Sequence, residues 1–147
     1  MSQTRCPSAP ATSGAVVIGA VGEDGRVAHF ATTLVASESF LAAARRQGAP
    51  ERRFRFSTPC AEGGCAQWTG KECGLIGRIT QRLVEAGAPV ASVGSHPCTI
   101  RAGCRWRLQS GDEACSVCSF VITETRDDVI EGGVEMQGAL ETARLVV

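Results

Sequence analysis

The sequence predicts an α+β protein: a small N-terminal unit of β-hairpin, helix and strand, then a cysteine-rich lobe of loops and helices built to bind a metal or cluster. Three observations carry that prediction. β-Branched runs bounded by glycine turns fill the first part of the chain, and two segments show helical apolar spacing with capping residues. Seven of the eight cysteines then fall between Cys60 and Cys118. The boundaries that follow are a disordered leader at 1–13, the α+β part at 14–57, the cysteine-rich lobe at 58–124, and a tail or short helix at 125–147.

In chain order, residues 1–13 are rich in Ser, Thr, Pro and Ala and lack a periodic apolar pattern. Cys6 lies there and is set apart from the other cysteines. Gly14 to Phe30 reads as a hairpin: Val16, Val17 and Ile18 form one arm and Val27 to Phe30 the other. Asp24-Gly25 supplies a turn that tolerates positive φ. A dinucleotide-binding reading of Gly14, Gly19 and Gly22 fails, because G-x-G-x-x-G is absent and a turn follows in place of a helix.

Ser37 to Gly48 predicts a short helix. Ser37 or Ser39 can cap it, Glu38 and Arg45/Arg46 suit its two ends, and Gly48 stops it. Arg52-Arg-Phe-Arg-Phe56 alternates basic and aromatic residues, which predicts an edge strand with phenylalanines on one face and a wet face opposite. The same patch could stack single-stranded nucleic acid, a weaker reading of the alternation.

Gly74 to Gly87 predicts a second helix with Leu75, Ile79, Leu83 and Val84 on its apolar face. Residues 88–97 link the two halves of the cysteine region. Arg101 to Gln109 reads as helical up to Ser110-Gly111, and Asp112 can cap a new turn carrying Ala114, Cys115 and Cys118. Phe120 to Thr123 reads as a strand or a helix end.

Composition excludes more than it assigns. The 147 residues suit one domain with a core of its own, and formal net charge is zero, so no global field favours nucleic acid or a membrane surface. Fourteen arginines stand against one lysine. No apolar run approaches membrane-spanning length, and the run at 15–21 is short for a signal core. The expectation is a cytoplasmic protein, where grouped cysteines hold metal or do redox chemistry more often than they form disulfides.

The cysteines are spaced C-x4-C-x7-C, then after 24 residues C-x5-C-x10-C-x2-C. Two halves look alike, each reaching a tryptophan just past its second cysteine (Cys60, Cys65, Trp68; Cys98, Cys104, Trp106). Cys98, Cys104, Cys115 and Cys118 make a four-thiolate set within 21 residues and are the expected cofactor ligands. Gaps of five and ten are looser than zinc ribbons prefer, whereas a cubane spreads its irons and takes one thiolate from each. A 4Fe-4S iron–sulfur cluster is therefore favoured, with zinc as the alternative. Neither common ferredoxin spacing occurs.

Cys60, Cys65 and Cys73, with His96 as fourth ligand, form a possible second site. A single cluster straddling the two halves is another arrangement the spacing allows. Arg101, Arg105 and Arg107 can offset the charge of a thiolate cluster or simply form a solvated face, and Trp68 and Trp106 can shield it from water. No phosphate loop, H-E-x-x-H or nucleophile elbow is present, and Cys115-Ser-Val-Cys118 lacks a thioredoxin-like context. The functional expectation is electron transfer, redox sensing or accessory service to a larger enzyme, with a protein redox partner and no enzyme chemistry of its own. The alternative is a zinc-stabilised module that binds a protein or nucleic acid.

Overall fold

The computed structural model describes residues 4–87 and 96–123, and the backbone of 145–146. Four strands, β1 (Arg5–Ala9), β2 (Val16–Val21), β3 (Val27–His29) and β4 (Phe54–Pro59), form an antiparallel sheet in the order β1-β4-β2-β3. Helices α1 (Glu38–Arg45), α2 (Leu75–Ala86), α3 (Arg105–Ser110) and α4 (Asp112–Cys118) complete it. A short strand β5 (Val121–Ile122) pairs in parallel with β6 (Leu145–Val146). The α+β class agrees with the sequence.

Successive strand residues point to opposite faces of a sheet, and here both faces are covered. Val17 and Phe56 pack with Leu41 of α1 on one face. On the other, Ile18 packs with Ile76, Ile79 and Leu83 of α2 and with Trp106, Val117 and Phe120. The hairpin and the cysteine-rich lobe therefore share a core across the sheet, and β4 runs through the boundary expected at residue 57.

The hairpin forms as its turn signal predicts, with Gly19 opposite His29 and Val21 opposite Val27. Ser37 caps α1, its Oγ accepting from the Phe40 N–H at 3.1 Å. Gly87 ends α2 in the left-handed conformation at φ 66°.

Four expectations change. Residues 5–9 are not part of a disordered leader but the strand β1 against β4, with Cys6 opposite Thr58. Pro7 fits because an edge strand can spare one N–H. β4 is not a wet-faced edge strand either: it lies between β1 and β2, and Arg55 is 0% exposed. The alternation placed phenylalanine and arginine on opposite faces correctly, but both faces are inside. In α2, Ile76 replaces Val84 on the buried face, and Val84 is 71% exposed.

Finally, the expected continuous helix from Arg101 breaks. A single 3-10 turn spans Arg101–Gly103, Cys104 is extended (φ −67°, ψ 126°), and α3 starts at Arg105. Gly111, at φ 69° and ψ −154°, joins α3 to α4 and takes the N-cap position expected of Asp112. That backbone conformation is essentially confined to glycine, and it folds α4 back so that its cysteines meet Cys104. Most of the expected linker (88–95) and most of the C-terminal segment lie outside the described residues.

Candidate metal centre

Cys98, Cys104, Cys115 and Cys118 line one hollow of about 20 Å³, together with His96 and Arg101. They arrive by three local devices. Cys98 comes in on a loop, Cys104 sits at the extended kink before α3, and Cys115 and Cys118 share a face of α4 one turn apart. Cys104 and Cys118 are buried, Cys98 and Cys115 half-buried, and all are free thiols. Burial pushes the Cys104 thiol up to about 12 and raises Cys98 as well. Those groups keep their protons unless a cation takes their place, which is how metals bind buried thiols.

Behind Cys118 lies Arg55. Its Nε and Nη2 donate to the Pro7 carbonyl (3.0 and 2.6 Å), and Nη1 donates to the carbonyls of Cys118 and Val121 (both 2.9 Å). Nη2 also lies 3.3 Å from Cys118 Sγ, and the guanidinium sits 5.6 Å from the Trp106 ring centre. Among the described residues no carboxylate pairs with it. An arginine keeps its charge at any biological pH, and a buried charge without a counterion is costly. Its sulfur neighbour is where an anion would offset that cost.

The two histidines stack on each other, ring centres 4.2 Å apart, and His29 Nε2 lies 3.5 Å from Cys118 Sγ. Burial, then the charge of Arg55, pushes His29 down to about 3, so its imidazole is neutral near pH 7. Buried His29 Nδ1 and Arg101 Nε find no partner among the described residues.

Cys60, Cys65 and Cys73 line a second, roomier hollow of about 150 Å³. The fourth cysteine there is Cys6, which no neighbouring residue marks for inclusion; His96, expected with this trio, lines the other hollow instead. The cause is sheet pairing: β1 lies along β4, and the Cys60 N–H donates to the Thr4 carbonyl at 2.9 Å. One signal was available. Eight cysteines divide into two sets of four, and seven do not.

Cys73 is held from α3, where Gln109 accepts from its N–H (2.7 Å) and donates to its carbonyl (3.0 Å). Cys65 is exposed, with the Gln67 N–H 3.4 Å from its sulfur. Trp68 lines this hollow under the Arg105 guanidinium, 5.0 Å from its ring centre. Trp106 is buried, and with Pro7 it lines both hollows. Arg105 also pairs with Glu62 (3.1 Å), and Arg107 with Asp112 (3.2 Å).

Among the described residues, no three His, Cys, Asp or Glu side chains converge tightly enough to hold a single metal ion. The thiols instead stand around the hollows. No described helix is long and apolar enough to cross a membrane. Compared with protein-family models, curated proteins and solved structures, the chain matches none.

Proposed function

We propose that this is a small iron–sulfur protein that carries single electrons for a protein partner, with Cys98, Cys104, Cys115 and Cys118 as ligands of a 4Fe-4S cluster. The observation that supports it best is four cysteines lining one hollow beside a fully buried arginine that has no carboxylate partner among the described residues. A cluster bound by four thiolates is net negative, and Arg55 would offset that charge from a distance that also allows hydrogen bonding to sulfur. Thiols spread around a hollow suit a cubane, which takes one thiolate per iron, better than a tetrahedral ion that draws its ligands to one point.

The size of the hollow, about 20 Å³, is the one observation that favours a second reading, a zinc-stabilised binding module. One ion needs little room, whereas a cubane requires the thiols to swing outward. Cysteine can do this by rotating its one side-chain torsion between staggered wells.

Anaerobic purification followed by iron, sulfide and zinc analysis separates the two. Iron and sulfide in equal amounts, with visible absorption that bleaches on reduction with dithionite, is the expected result. A colourless protein holding stoichiometric zinc and no sulfide would overturn the cluster reading.

A further inference from the structure

The second hollow is lined by four cysteines of its own. Cys6 reaches it from β1, Cys60 from the end of β4, and Cys65 and Cys73 from the loop before α2. Cys6 and Cys60 lie 54 positions apart in sequence, yet the pairing of β1 with β4 makes their backbones neighbours.

Two further features suit a bound cluster. Arg105 lines the hollow: Nη2 pairs with Glu62, while its buried Nε has no partner among the described residues. Gln109 fixes the backbone of Cys73 with two hydrogen bonds, the kind of outer support that orients a metal ligand. The volume, about 150 Å³, leaves far more room than a single ion needs.

We propose that Cys6, Cys60, Cys65 and Cys73 form a second four-thiolate site that holds its own 4Fe-4S cluster, sharing the wall made by Pro7 and Trp106 with the first. The proposal rests on the iron–sulfur reading for the kind of metal and goes beyond it in naming a second set of ligands. Loading is a ligand exchange with a preformed 4Fe-4S cluster carried by four small thiolates: four S–Fe bonds to those thiolates break, four to these cysteines form, and the four cysteine protons pass to the departing thiolates. The shared wall makes the protein a two-centre electron carrier.

The test is iron and sulfide per chain in the anaerobically reconstituted full-length protein, compared with Cys6→Ser, Cys65→Ser and Cys104→Ser. Two clusters give about eight irons in the parent chain and about four in each variant. Pairing Cys6→Ser with Cys104→Ser leaves almost none. Cys65 is exposed, so its variant keeps the fold even where Cys6→Ser weakens β1, and far-UV circular dichroism checks both.

Full iron in Cys6→Ser and Cys65→Ser would overturn the second site. So would about four irons in the parent chain that vanish only in Cys104→Ser, a result that leaves the first site standing. Iron lost only in Cys6→Ser and Cys65→Ser would support this site and sink the first. No iron in any form would sink both.

Discussion

The two hollows share Trp106 and Pro7 and have four cysteines each, yet they differ in burial and in the charges around the sulfurs. The Cys98 hollow lies against the sheet, backed by a fully buried arginine and a neutral histidine, with two of its cysteines buried. The Cys60 hollow sits at the end of β4 with Cys65 exposed, and its arginine is already paired with Glu62. Equal donor sets therefore have unequal electrostatics. An unpaired cation beside sulfur stabilises the more negative, reduced state of a cluster, and solvent exposure acts on the other by screening. Were both hollows to hold the proposed clusters, that difference would set the direction in which electrons run downhill, by the fold and not by the ligands.

The harshest way to break this comparison is Arg55→Met. It leaves the carbonyls of Pro7, Cys118 and Val121 buried without their donor, each worth about 1–3 kcal/mol. The expected loss is about 3–5 kcal/mol in urea unfolding, with iron leaving the Cys98 hollow first. A change below about 1 kcal/mol would mean that the buried charge costs as much as its hydrogen bonds return.

Gln109→Ala acts on the other side. Removing both hydrogen bonds to the Cys73 backbone should weaken iron retention in the Cys60 hollow about tenfold, read as the rate of iron capture by a chelator. Iron bound by Cys104 and its partners should leave at the parent rate. Equal acceleration at both hollows would show that α3 supports them jointly and that the contrast between them is smaller than their surroundings suggest.

The smallest effect concerns the metal-free chain. The folded His29 pKa, about 3, lies below its ordinary 6.5, so the unfolded chain binds the extra proton between those values. Stability from this group is therefore present above pH 6.5 and is lost as pH falls toward 3. The melting temperature of the metal-free protein should fall across that window, and His29→Gln should flatten the slope. An unchanged slope in the variant would assign the acid sensitivity to other groups.

How much of this was legible in the sequence differs by element. The hairpin, α1 and α2 carry their own signals: Asp24-Gly25, the Ser37 cap and the Gly87 stop act within a few residues of where they are read. That Cys98, Cys104, Cys115 and Cys118 come together around one hollow was also legible, because they are close along the chain and separated by turn-forming glycines. Val84 and Ile76 exchanged roles because helical spacing defines a stripe but not which edge of it a neighbour covers.

The alternation Arg53-Phe-Arg-Phe56 fixed which residues share a face but left open whether the second face meets water. Only the packing of β1 and α4 over Arg55 decided that. Cys6 is the sharper case. Arginine, proline, serine and alanine flank it, and nothing local places it with the other cysteines. Strand pairing across some fifty residues brings it to Cys60, and such long-range pairing depends on the whole sheet finding its register. Local chemistry determined the elements and one close-spaced group of cysteines; tertiary pairing decided which distant thiol joins the other group, and where one buried charge comes to rest.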